Sequence, residues 1–336
     1  MKPIALVQRL VLLVFVLFGV SLVVFSMMHL TPGDPVELMM SRAGHVTEEE
    51  MQALRHDYGL DLPLHSQYLR FVAGALHGDL GMSFQHNKAV AAVIATHLPA
   101  TVELTVCSLC LALVFAIPVG VICAIRRASA LDWTAIGASL VGVSMPGFWL
   151  GIILMLVFAM KLEILPITGR IDHNLVFVPR TGFYVLDSIL SGDLAALSSG
   201  LRHLLLPAVT LGAPMAAITT RMVRTSMIEA LQQEYVQFAR AKGLPEYAVV
   251  IKHALRNALI PTITVVALQT GLLLGGNMII ETVFSWPGVG RLAVQAIEAR
   301  DYPLVQGVVL LYATTYVLLN LFADLSYGWV NPRIEE

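Results

Sequence analysis

Six stretches of this chain run for about 20 or more predominantly apolar residues, the length a helix needs to cross a bilayer. They fall near residues 10–30, 99–125, 131–160, 204–223, 258–284 and 303–327. A segment in lipid must satisfy its own backbone hydrogen bonds, so spans of this length are helices. The fold class is therefore an all-α polytopic membrane protein with about six transmembrane helices. Composition agrees. Of 336 residues, 57% are hydrophobic and 13% charged. A water-soluble chain of this size carries about twice that charged share. A soluble enzyme and a disordered chain are excluded on these figures, and three cysteines exclude a disulfide scaffold. A net charge of −2 gives no basic surface for nucleic acid.

The third stretch is broken by Met145-Pro146-Gly147, and Pro207 and Pro214 interrupt the fourth. Prolines are tolerated in spans where neighbouring helices satisfy the freed carbonyls. Both spans are expected inside the bundle. Lys2 and Arg9 precede the first run, which is longer than a signal-peptide core and lacks a small-x-small cleavage site. An uncleaved first span is expected. An even number of crossings puts both termini on one side. Lys and Arg are densest in the segments on that side, with Arg126-Arg127 in a tight turn, so both termini are expected in the cytoplasm.

Three polar segments lie between the spans. Residues 31–97 begin with the turn signal Thr31-Pro-Gly-Asp-Pro35. They continue with Glu48-Glu49-Glu50 as a helix start, then Tyr58, Tyr68 and Phe71. A small folded external cap after the first helix is expected. Residues 161–203 are also external, with an interfacial helix expected over 183–197. Residues 221–256 are cytoplasmic. Ile228, Leu231, Tyr235 and Phe238 recur at helical spacing and predict a helix over 224–241. Lys242-Gly243 stops it, with the glycine in the left-handed C′ position. Pro245 then starts a second helix, where its missing N–H costs little. Joining two spans takes only about five residues, so a rigid elbow of this size reads as a docking surface. The chain thus divides into 1–97, first helix plus external segment; 98–330, the transmembrane domain with its elbow near 237–250; and 331–336, a cytoplasmic tail.

Several motifs have simpler readings. Cys107-Ser-Leu-Cys110 has redox spacing, but an apolar span offers no accessible thiolate, so these cysteines and Cys123 read as packing. Gly288-Val-Gly290-Arg-Leu-Ala293 mimics a dinucleotide fingerprint without the preceding strand. No Gly-Lys dipeptide exists, so the chain has no phosphate-binding P-loop. His45, His56, His65, His77, His86 and His97 stand nine to twelve residues apart and read as surface residues, not a metal cluster. Glu103 lies four residues after Pro99 and reads as an acid near a helix N-terminus, where negative charge is favoured. Glu281 and Asp324 are expected near membrane boundaries. Gly147-Phe-Trp-Leu-Gly151 and Gly271-Leu-Leu-Leu-Gly275 allow close helix approach.

The elbow carries a resemblance. Glu234-Tyr-Val-Gln-Phe-Ala-Arg-Ala-Lys-Gly-Leu244, followed by His253-Ala-Leu-Arg-Asn-Ala-Leu-Ile-Pro261, resembles the signature loop of binding-protein-dependent ABC importer permeases. The B-type permease of the dipeptide/oligopeptide family is the nearest likeness. Thr31-Pro-Gly-Asp-Pro35, Gly78-Asp-Leu-Gly81, Ser144-Met-Pro-Gly-Phe-Trp149, Glu281-Thr-Val-Phe-Ser-Trp-Pro-Gly288, Arg300-Asp-Tyr-Pro303 and Val330-Asn-Pro-Arg-Ile334 agree along nearly the whole chain. The Glu-Ala-Ala of the general signature falls on Gln237, Phe238 and Ala239, with Gly243 retained, so the chain departs at Gln237 and Phe238, and again at Leu255-Arg256, where Leu-Pro often closes it.

The resemblance implies a type I ABC importer permease fold in a bacterial inner membrane. It implies a second, homologous permease subunit, two cytosolic ATPase subunits and a soluble external binding protein. This chain is then non-catalytic and binds no cofactor or metal, and ATP and Mg belong to the partner ATPases. The expected ATPase-coupling residues are Gln237, Phe238, Ala239, Arg240, Ala241, Lys242, Gly243, Leu244 and Tyr247, with Arg240 and Lys242 pairing to the partner. Ser144, Met145, Asn277 and Met278 are expected to line the pathway. The expected function is ATP-driven import of dipeptides or short peptides by alternating access. The alternatives are the same machine for nickel, glutathione or another small solute, and a proton-coupled secondary transporter. The last needs relay carboxylates and usually an internal repeat, and the sequence offers neither.

Overall fold

The computed structural model describes residues 3–30, 47–57 and 59–330. The motif 31–35, His45, Tyr58 and the tail 331–336 lie outside the described residues, and so does the side chain of Asp324.

In chain order the helices are α1 (Pro3–Leu30), α2 (Glu48–Asp57), α3 (Leu64–Leu76), α4 (Val90–Ile125) and α5 (Ala130–Ser144). Next come α6 (Gly147–Leu154), which runs on as a π turn (Met155–Lys161), α7 (Tyr184–Ser191), α8 (Leu194–Leu231) and α9 (Glu234–Ala241). A short α10 (Glu246–Ala248) passes through a second π turn (Val249–Leu255) into α11 (Arg256–Gly276). The chain closes with α12 (Met278–Val283), α13 (Val289–Glu298) and α14 (Tyr302–Val330). Among the described residues five helices are long and apolar enough to cross a membrane, or six if the α5–α6 pair is one span.

That pair is the largest departure from the expected spans. Proline cannot donate at position 146, and the chain bends there by 106°. Nor is the pair inside the bundle: Asp132, Ser139 and Gly151 are the buried residues of α5 and α6. The fifth span ends at Gly276, earlier than position 284, because Asn277 breaks it from α12. The second starts earlier, at Val90, so Pro99 lies within α4 and the 97/98 domain boundary falls inside a helix.

Helix α8 is the hub. It extends beyond the expected 204–223 at both ends, with Asp193 capping it by accepting from the Ala196 N–H at 2.9 Å. The expected interfacial helix over 183–197 is therefore split between α7 and α8. Half of the most apolar stretch of α8 is buried, against 11% for α1. A helix wrapped by others meets little lipid, so Ser, Thr, Gly and Pro replace large apolar residues and permit close packing. Helix α4 packs tightest on it. A Cβ at Gly212 would stand 2.8 Å from the Ser108 carbonyl oxygen, and one at Gly120 would stand 2.8 Å from Val223 Cβ.

The segment expected to form an external cap is less detached than that. A capping box starts α2: the Thr47 N–H donates to Glu50 at 3.0 Å and the Glu50 N–H to Thr47 at 3.3 Å. Helix α3 then leans on α1. The Tyr68 hydroxyl meets Ser21 Oγ at 2.8 Å, and its ring stands edge-on to Phe25 with centroids 5.3 Å apart. Ser21 lies nine residues from Leu30, so this contact reaches about 13 Å along the span.

Candidate functional site

The predicted helix over 224–241 is two helices, because α8 ends at Leu231 and α9 begins at Glu234. Val236 and Ala239 of α9 are buried in a cluster with Val121, Val223, Met227, Val249 and Ala254, which anchors the elbow to the bundle. The turn that follows is a Schellman motif: the Leu244 N–H donates to the Ala239 carbonyl at 3.4 Å and the Gly243 N–H to that of Arg240 at 2.9 Å. Gly243 sits at φ +74, as its sequence position predicts. Arg240 bridges the two arms of the elbow, donating to Glu246 through Nε at 3.2 Å and Nη2 at 2.6 Å. The Lys242 ammonium lies 4.5 Å from the centre of the Phe238 ring.

The result is a stiff, exposed surface. Gln237, Phe238, Arg240, Ala241, Lys242, Gly243, Leu244 and Tyr247 face outward, with Phe238 62% and Tyr247 74% exposed. Ala239, expected on this face, points inward as an anchor. Arg240, expected to pair with a partner subunit, bonds Glu246 of its own chain.

The expected pathway residues sit at two helix breaks. Ser144 and Met145 are at the α5–α6 bend, while Asn277 and Met278 are at the α11–α12 break. The breaks are neighbours, since Ile280 Cδ1 lies 3.7 Å from where a Cβ on Gly147 would stand. Asn277 is buried with no partner for its amide nitrogen. Met278 packs on the cluster of Val90, Val289 and Leu304.

Glu281, expected near a boundary, and Glu103 prove to be braces. Glu281 is fully buried. It accepts from Thr101 Oγ1 at 2.8 Å and from the Arg291 N–H at 2.9 Å. The chain from Ser285 to Gly290 wraps this carboxylate, and a Cβ at Gly288 would strike it. The apparent dinucleotide fingerprint is this wrapping loop. Glu103 is not near a helix N-terminus, because α4 starts more than three turns earlier. It pairs with Arg170 at 2.5 Å, both side chains being under 10% exposed, and accepts from the Val185 N–H at 2.7 Å. Asp301 is buried and accepts from Ser83 Oγ at 2.6 Å, tying the Arg300–Pro303 motif to the chain just beyond Gly78–Gly81. Asp187 is also buried and accepts N–H bonds from Arg180, Thr181 and Gly182. Burial pushes its carboxyl up, but the bonds from Thr181, Gly182 and Arg180 outweigh this and hold it below the usual aspartate value. Sequence reasoning missed Arg170, Thr101, Asp132 and Asp301. An acid in an apolar span signals that a partner exists, but not which one.

The glycine motifs are packing faces. Gly151 approaches Phe284 and Thr210, and Gly271 approaches Tyr316. The cysteines are free thiols. Among the described residues no three His, Cys, Asp or Glu gather to hold a metal ion.

Long apolar helices packed around α8, with a rigid elbow at one end, define a helical integral membrane protein. The family described as the binding-protein-dependent transport system inner membrane component matches residues 116–336, and its N-terminal counterpart matches residues 4–105. The chain belongs to this family and has its type I permease fold. It is 43% identical over 333 residues to the dipeptide transport system permease protein DppB of Escherichia coli K12, covering 98% of each chain. It is 44% identical over 327 residues to the di/tripeptide transport system permease protein DppB of Pseudomonas aeruginosa, covering 97% of each. It is 39% identical over 328 residues to the glutathione transport system permease protein GsiC of Pectobacterium atrosepticum, covering 98% of this chain and 97% of that one.

Proposed function

We propose that this chain is the permease subunit of an ATP-driven importer of dipeptides and other short peptides. The observation that carries the substrate class is 43% identity to a dipeptide permease over nearly the full length of both chains. The chain pairs with a second, homologous permease. Two ATPase subunits supply the energy and hold the ATP and Mg, an external binding protein delivers the peptide, and this chain itself is non-catalytic. The elbow and both termini face the cytoplasm. The outward face of α9, from Gln237 to Leu244 with Tyr247, seats on an ATPase subunit. The Schellman turn and the Arg240–Glu246 bridge make that face a lever rather than a loose tether. Movement of the lever reaches the bundle through the Val236 and Ala239 anchors, and the two adjacent helix breaks give the pathway a place to open and close. This is alternating access, a two-state element biased by a partner.

Reconstitution with the copurifying subunits and binding protein tests this. ATP-dependent uptake of a labelled dipeptide, competed by unlabelled di- and tripeptides, is the expected result. Glutathione is the second reading, favoured by the identity to the GsiC protein. Competition by glutathione and not by dipeptides would replace the peptide assignment. Uptake driven by a pH gradient without ATP would overturn both.

A further inference from the structure

Three basic side chains gather where α10 passes into α11. Lys252, His253 and Arg256, with Asn257, line a pocket of about 510 Å³ that they share with Tyr235 of α9. None of the three has a side-chain partner among the described residues, whereas Arg224 and Arg240 at this end of the bundle pair with Asp132 and Glu246. No carboxylate lines the pocket. Lys252 and Arg256, two cations sharing one cavity, attract an anion with several acceptor oxygens, and His253 adds a ring nitrogen to the same wall.

The depth of the pocket says which anion. Residues 246–271 form a membrane-length segment of 26 residues. At about 1.5 Å per residue that is about 39 Å, some 9 Å longer than a hydrocarbon core of about 30 Å. Taken on the elbow side, the overhang amounts to about six residues and brings Lys252 to the edge of the headgroup layer, with Arg256 about one turn below it, where its long side chain reaches back to the headgroups. The lining does not stop there. Ile260 and Ile263 continue the same pocket one and two turns deeper, and Ile263 faces outward. Charge above and hydrocarbon below is the profile of an amphiphile. Free phosphate or an acidic protein side chain would use the upper half alone.

We propose that this pocket holds the phosphate of an anionic phospholipid, with an acyl chain lying along Ile260 and Ile263. The lipid sits behind the elbow, against Tyr235, and tethers this corner of the bundle to the headgroup layer.

Native mass spectrometry of the intact transporter tests this, with phosphatidylglycerol and phosphatidylcholine as probes. Wild type is expected to retain phosphatidylglycerol preferentially. Lys252→Gln with Arg256→Gln is expected to cut that retention about thirtyfold, at the usual strength of one basic residue near an anionic surface. Phosphatidylcholine retention and the unfolding temperature stay unchanged. Ile260→Ala with Ile263→Ala weakens long-chain phosphatidylglycerol more than a short-chain form. Equal retention of the two lipids by wild type overturns the proposal without any variant. So does displacement of the lipid by millimolar inorganic phosphate, which makes this a free-anion site. Binding seen only after the ATPase subunits are stripped away also overturns it, because the pocket then belongs to that interface.

Discussion

Asp132 receives both Nε and Nη2 of Arg224, at 2.5 and 2.8 Å, across the gap between α5 and α8. The same carboxylate accepts from the Ala128 N–H at 3.0 Å, so one acid holds the α4–α5 turn to the helix that carries the elbow. Asp132→Asn should destabilise the fold by about 2 kcal/mol, the usual worth of hydrogen bonds to a buried charge. The check is a double-mutant cycle on unfolding temperature. Arg224→Met added to Asp132→Asn should cost little further, and additive losses would show that the two side chains act independently.

The Schellman turn makes a sharper prediction about activity. Apart from its chain neighbours, no atom of the described residues lies within 4 Å of a Cβ built on Gly243, so the constraint found there is its positive φ. Asparagine tolerates this conformation, while a β-branched side chain pays about 1–2 kcal/mol or more. Gly243→Asn should support uptake near wild type. Gly243→Val should reach the membrane but lose uptake and substrate-stimulated ATP hydrolysis. Normal uptake by the valine variant would remove the elbow from the mechanism.

Around Glu281 the expected effect is on stability. Thr101 donates to Glu281 and accepts from the Val289 N–H, both at 2.8 Å. Thr101→Val keeps the shape and removes both bonds, so about 2 kcal/mol should be lost. Gly288→Ala should cost a similar amount, about 1–3 kcal/mol, by overpacking against the carboxylate. Thermal unfolding in detergent reads both, and an unshifted Gly288→Ala would mean that the loop does not close on the acid.

Asp187 gives the loop it organises a defined pH response. Its folded value lies below the ordinary 3.8, so its stabilising effect is complete above 3.8 and lost as pH falls through the lower folded value. Amide exchange at Arg180, Thr181 and Gly182 should stay slow until the pH drops below the ordinary value, then quicken. Asp187→Ala should show the fast exchange already at neutral pH. Fast exchange in wild type at neutral pH would contradict the bonds described.

Hydropathy located the spans because lipid demands continuous apolar length. Gly243 and Pro245 marked the turn because few residues tolerate those backbone positions. Pairing was harder to read. Glu103 and Arg170 stand 67 residues apart, and apolar periodicity says which face is buried without saying what lies opposite. The inward turn of Ala239 was hidden for a related reason. The break at Gln232-Gln233 resets the phase of α9, so the single helix drawn through Leu231 and Phe238 assigned the wrong faces. The span at 146 looked merely interrupted, because a proline announces a bend but not its angle.

The contact between Tyr68 and Ser21 has a practical side. Excising residues 47–76 to probe the outer surface removes more than an ornament. It leaves the Ser21 hydroxyl facing acyl chains and uncovers an aromatic shoulder of the first helix. An internal deletion there perturbs the lipid-facing wall as well, whereas point changes on the outward side of α2 leave that wall intact.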